Sequence, residues 1–85
     1  MTVVAFRPRV EPPKDRRYKV RLTKGTATRL YQILPVGDRW QCWIRANGKP
    51  YLSICTDEIA HLDRIAVEFA EDVQALKADG WTEPV

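Results

Sequence analysis

Three short turn signals, Gly25-Thr26, Gly37-Asp38 and Asn47-Gly48, cut residues 16–56 into four segments of similar length, and this spacing constrains the fold more than any other feature of the chain. Asn-Gly suits the two left-handed positions of a type I′ turn and is the strongest short-range hairpin signal. The segments read as strands over Arg16–Lys24, Ala27–Pro35, Arg39–Ala46 and Pro50–Thr56, joined as an antiparallel meander. With two-residue loops, Leu22 faces Arg29, Ile33 faces Cys42 and Ile44 faces Tyr51. Side chains alternate along a strand, so one register assigns every residue to a face. One face then collects Tyr18, Val20, Leu22, Tyr31, Ile33, Trp40, Cys42, Ile44, Tyr51 and Cys55. The other collects Arg17, Lys19, Arg21, Leu30, Gln32, Leu34, Gln41, Trp43, Arg45, Leu52 and Ile54.

The pattern then changes period. Ile59, Leu62, Ile65, Ala66, Phe69, Val73 and Leu76 recur at three- and four-residue steps and form the apolar stripe of one long helix, read from Asp57 to Asp79. Thr56 is the expected N-cap, with Asp57 and Glu58 in the first turn, where the helix dipole favours negative charge. Gly80 suits a left-handed cap, after which Trp81 folds back toward Leu76. The stripe must bury itself, and the mostly apolar first sheet face is its nearest partner. The expected fold class is α+β: a four-stranded antiparallel meander with one long C-terminal helix packed on one face.

At 85 residues there is room for a single core, because a chain this short buries only roughly 60–65% of its unfolded surface. Residues 16–85 are expected to form that one β-β-β-β-α domain and residues 1–15 an extended, Pro-rich arm. Thr2–Phe6 in the arm is the segment able to add a fifth strand or reach a second subunit. The run Val3-Val4-Ala5-Phe6 is far shorter than a signal-peptide core or a bilayer span. Two cysteines, Cys42 and Cys55, make a poor disulfide scaffold. A cytoplasmic protein with reduced thiols and no membrane association is expected.

Catalytic chemistry has few candidates. The single histidine, His61, lies off the apolar stripe and reads as a solvated surface residue. Ser53 falls within a strand and lacks the Gly-x-Ser-x-Gly setting that exposes a nucleophile. Cys42, Cys55 and His61 lack the paired spacing of a structural zinc site. The four glycines stand singly at turns or at the helix end, with no phosphate-binding loop among them. Neither an enzyme nor a cofactor, metal or small-molecule substrate is expected.

Charge points instead to binding. Residues 1–56 carry twelve Lys and Arg against three Asp and Glu, whereas residues 57–79 carry seven acids against Arg64 and Lys77. A basic sheet and an acidic helix are statements about partners, not about fold. Arg17, Lys19 and Arg21 project together from the first strand, on the face that also offers Trp43 and Arg45. These five residues form the candidate nucleic-acid or partner-binding site, with cations for phosphates and an indole to stack on a base. In outline the arrangement is similar to RNA-recognition modules, which present aromatics on a sheet backed by helices, although their aromatic-rich signature is missing here, and to the small three-stranded DNA-binding arms of phage-type integrases, which also end in a helix. The alternative is a protein-interaction or inhibitor module, or a homodimer, using Leu30, Leu34, Trp43, Leu52 and Ile54. A solvated edge strand kept charged against aggregation would also produce the basic row.

Overall fold

The computed structural model describes residues 16–84. The N-terminal arm and the proposed Thr2–Phe6 strand lie outside the described residues. Four antiparallel strands, β1 (Tyr18–Lys24), β2 (Ala27–Val36), β3 (Arg39–Ala46) and β4 (Lys49–Thr56), form an open sheet in the order β1-β2-β3-β4, followed by helix α1 (Ile59–Ala78). The protein is thus an α+β domain with β1 and β4 at the sheet edges.

The first two hairpins take the register that two-residue turns impose: Leu22 pairs with Arg29, and Ile33 with Cys42. At the third, Asn47 and Gly48 have φ of 54° and 79°, the left-handed pair that a type I′ turn needs. Asn47 also donates its backbone N–H to the Thr28 carbonyl and accepts from the Thr28 N–H through Oδ1, so the turn is tied to the neighbouring strand β2.

Beyond that turn the register slips. Arg45 pairs with Pro50, but Ile44 pairs with Leu52, leaving Tyr51 as the extra residue of a β-bulge. The sequence expectation for β4 is therefore corrected. Leu52 and Ile54 stand on the helix side, where Ile54 packs against the core. Cys55 moves to the opposite face and is exposed. Tyr51 borders the helix-side cleft at the bulge but is 68% exposed rather than buried. Pro50 supplies the physical reason: it has no N–H to give the ladder, and proline within a sheet is confined to edges and bulges.

The core lies between the sheet and α1. Leu22, Tyr31, Ile33, Cys42 and Ile44 from the sheet meet Leu62, Ile65, Ala66, Phe69 and Val73 from the helix, all buried. The Tyr31 and Phe69 rings meet edge to face, with centroids 5.3 Å apart. Each large apolar side chain removed from water here contributes roughly 1.5–3 kcal/mol before conformational entropy is set against it.

The helix starts two residues later than its sequence suggests. Glu58 is the N-cap, and Thr56, buried at the end of β4, accepts the Glu58 N–H on Oγ1 at 3.1 Å. His61 is half-buried rather than fully solvated, with Nδ1 3.2 Å from the same Thr56 hydroxyl. Ile59 has slid off the stripe and is 44% exposed. At the other end Gly80, with φ of 100°, gives its N–H to Lys77 O, and Trp81 gives its own to Leu76 O. This is the full double-bonded Schellman arrangement, which only a residue at ease with positive φ closes cheaply.

The chain then runs back to the sheet. Thr23 and Thr82 exchange backbone hydrogen bonds of 2.8 and 3.0 Å, so the tail covers part of the β1 edge. Lys24 Nζ reinforces the closure by donating to the Asp79 carbonyl at 2.7 Å, and Arg16 pairs with Asp63 at 3.0 Å near the start of β1.

Candidate functional site

Because α1 occupies one side of the sheet, strand alternation sends the remaining side chains to the other. Lys19 and Arg21 alternate with the core residues of β1 and are exposed, and exposed Arg17, just before the strand, continues that alternation. Successive same-face residues on a strand stand roughly 6.5–7 Å apart. The three cations thus form an evenly spaced row along one margin of the face.

Cross-strand pairing connects this row to the middle of the sheet. Lys19 pairs with Gln32, and Gln32 with Trp43. Arg21 pairs with Leu30, and Leu30 with Arg45. The Trp43 indole N–H donates to Gln32 Oε1 at 3.1 Å, which fixes the ring's position on the sheet. The Arg45 guanidinium carbon lies 5.9 Å from the Trp43 ring centroid, within cation–π range. Gln41 Nε2 donates to Ser53 Oγ at 2.8 Å on the far side of the same face.

All five residues picked out from sequence therefore share one face, but as two groups: Arg17, Lys19 and Arg21 on the edge strand, Trp43 and Arg45 two strands away. Leu30 and Gln32 stand between them. A cleft of about 310 Å³, lined by Arg21, Thr28, Arg29, Leu30, Arg45 and Gly48, lies at the turn end of the face and separates Arg21 from Arg45.

Sequence reasoning overlooked one cation. Arg39 pairs with Val36 at the start of β3, shares its alternation with Gln41 and Trp43, and is exposed. That alternation alone would have found it. The patch also loses members: Leu52 and Ile54 leave it through the bulge and are replaced by Ser53 and Cys55. The face is consequently less apolar and more basic than expected.

None of the four described strands contains an Asp or Glu, so Lys19, Arg21, Arg39 and Arg45 have no carboxylate among the strand residues around them. The acids gather on the other side of the molecule, where Glu68, Glu71 and Asp72 are exposed on α1. Among the described residues no cluster of three or more His, Cys, Asp or Glu is placed to hold a metal ion, and no helix is long and apolar enough to cross a membrane.

Comparison with known proteins gives no match: no family model, no curated protein and no solved structure corresponds to this chain.

Proposed function

We propose that the protein is a non-catalytic module that binds single-stranded nucleic acid on the open face of its sheet. The observation that carries this reading is the composition of that face, where Lys19, Arg21, Arg39 and Arg45 stand around a hydrogen-bonded tryptophan on strands that carry no Asp or Glu. Cations on such a surface hold phosphates through counterion release, and an aromatic side chain stacks on bases of any sequence. Arg45 beside Trp43 adds a second planar group on which a base can stack.

Shape favours single strands. Four strands at roughly 4.8 Å spacing put the axes of β1 and β4 about 14 Å apart, wider than the roughly 12 Å major groove that admits a helix or a two-stranded ribbon. A surface this broad gives splayed bases room to lie across it. Self-association through the same face is opposed by charge, since a second copy would set the same cations against each other.

A second reading has its own support. Leu30, Leu34 and Val36 alternate along β2 through the face, and Val36 is 53% exposed. An apolar row rimmed by cations also suits an acidic protein partner, with Trp and Arg as the anchoring residue types.

The deciding experiment is a titration of the full chain with mixed-sequence single- and double-stranded oligonucleotides at low and moderate salt, followed by tryptophan fluorescence. Salt-sensitive binding with preference for single strands supports the nucleic-acid reading. Absence of binding to either form at low salt rejects it and leaves the acidic protein partner.

A further inference from the structure

The two edges of the sheet are built differently. The β1 edge carries Arg17, Lys19, Arg21 and Lys24 in or beside the strand, and its backbone at Thr23 is already paired with Thr82. Charge and occupied hydrogen bonds are the usual protection of an edge against another chain. On β4 there is no charged residue from Pro50 to Thr56, and among the described residues β3 is its one neighbour in the sheet.

The apolar surface follows the same asymmetry. Of the large hydrophobic side chains exposed among the described residues, Tyr51 (68%), Leu52 (36%) and Ile59 (44%) lie on β4 or just beyond it at the start of α1, and only Val36 lies elsewhere. A cleft of about 290 Å³ between β4 and the helix, bordered by Leu52, Ile54 and Phe69, runs along this edge.

From this asymmetry we infer that β4 is an association edge, and that its occupant is β4 of a second copy paired antiparallel about a two-fold axis. The charges that bracket the strand select this occupant. Lys49 stands at one end and Asp57 and Glu58 follow the other, all exposed. Antiparallel self-pairing centred on Ser53 sets Leu52 opposite Ile54, on the strand beyond the bulge, and brings the Lys49 end of each copy toward the Asp57–Glu58 end of the other. The apolar run meets itself while both ends find opposite charge, the self-complementarity that an isologous interface requires. Pro50, which has no N–H to donate, falls toward the periphery of the shared ladder. Pairing of this kind joins two four-stranded sheets into one of eight. Glu68, Glu71 and Asp72 on the helix wall of the cleft stay in water and repel their counterparts, which keeps the association weak and reversible.

The inference uses the strand edge and not the open face, so it stands or falls apart from nucleic-acid binding. It is tested without nucleic acid, by sedimentation equilibrium of the full chain from micromolar to millimolar concentration. Wild type is expected to shift from monomer to dimer mass across that range. Leu52→Lys, which places a guarding charge on the edge, is expected to remain monomeric with its circular dichroism unchanged. In case that variant fails to fold, the surface charges supply a second arm. Lys49→Glu is expected to weaken dimerisation roughly ten-fold, because the axis repeats each exposed contact twice, and adding Asp57→Lys to it restores the wild-type mass profile. A monomer at every concentration overturns the inference, as does a dimer indifferent to the Lys49→Glu reversal.

Discussion

The guanidinium carbon of Arg29 lies 5.4 Å from the centroid of the Trp81 ring, joining a strand in the middle of the sheet to the tail that follows the helix. Tyr51 flanks the same guanidinium at 5.7 Å. Arg29 thus occupies a helix-side position, opposite Leu22, with aromatic rings around its charge. Its Nε is buried without a hydrogen-bond partner, and an orphaned donor of this kind costs about 1–3 kcal/mol. Two exposed-to-partly-buried cation–π contacts return a similar amount.

These opposing contributions give the first prediction. Arg29→Met keeps the long apolar stem and removes both the charge and the orphaned donor, so it should change unfolding free energy by less than about 1 kcal/mol. Trp81→Ala should cost about 2–3 kcal/mol, because it strips packing from the core margin as well as the cation–π contact. Urea unfolding followed by far-ultraviolet circular dichroism measures both. A larger loss for Arg29→Met than for Trp81→Ala would mean that the charge itself holds the tail.

The bulge at Tyr51 gives the second prediction. Ile54 packs on the core and Cys55 faces solvent, whereas an unbroken two-residue-turn register reverses them. Ile54→Ala should therefore destabilise by about 2 kcal/mol, and Cys55→Ser should stay within about 0.5 kcal/mol of wild type. Chemical denaturation of the two variants side by side checks the order, and the reverse order would restore the unbulged register.

The same strand shows where sequence is legible and where it stops. The turn dipeptides carry their own geometry, so the pairings Leu22–Arg29 and Ile33–Cys42 follow from local chemistry. The helix likewise follows from its three- and four-residue apolar period. A bulge inserts one residue without changing composition, and alternation on either side of it looks intact. Pro50 was its only local sign. The helix start is hidden in the sequence for a related reason: Thr56 does accept a backbone N–H, but from Glu58 while itself ending a strand. Of the candidate site, the β1 and β3 cations and Trp43 were legible because those strands keep strict alternation. The replacement of Leu52 and Ile54 by Ser53 and Cys55 on that face was not, since it depends on a long-range ladder.

Thiol chemistry supplies a third prediction. Burial, with a smaller contribution from the neighbouring Cys55, pushes the Cys42 thiol up to about 11 from its ordinary 9.0. One thiol, Cys55, should react with a maleimide reagent in the native protein, and Cys42 should react only after unfolding. Stability should also fall with rising alkalinity. Above about pH 9 the unfolded chain releases the Cys42 proton while the native chain keeps it, so the native state binds more protons and loses ground until about pH 11. Burial raises Tyr31 and Tyr18 in the same direction and adds to the loss at the upper end of that window. The decline should be on the order of 2 kcal/mol between neutral pH and pH 11, measured by urea unfolding. A flat profile, or early maleimide labelling of Cys42 in the native state, would mean that this part of the core opens freely.

The final prediction separates the two kinds of contact on the open face. Phosphate contacts are electrostatic and scale with the number of cations engaged, whereas stacking is largely indifferent to salt. If Arg17, Lys19, Arg21, Arg39 and Arg45 all engage a single strand, log K should fall with log salt with a slope of about −3 to −4. Arg21→Ala should make that slope shallower by about 0.7 and weaken binding to every sequence alike. Trp43→Ala should leave the slope unchanged while costing about 1–3 kcal/mol at each salt concentration. Arg39→Ala should behave like Arg21→Ala, because Arg39 joins the same face by its pairing with Val36. Fluorescence anisotropy of a labelled oligonucleotide across a salt series reads all three variants, with Lys77→Ala on the helix as a control expected to match wild type. If Trp43→Ala altered only the slope, or if Lys77→Ala altered it as much as Arg21→Ala, the charge of the whole molecule rather than this face would be holding the strand.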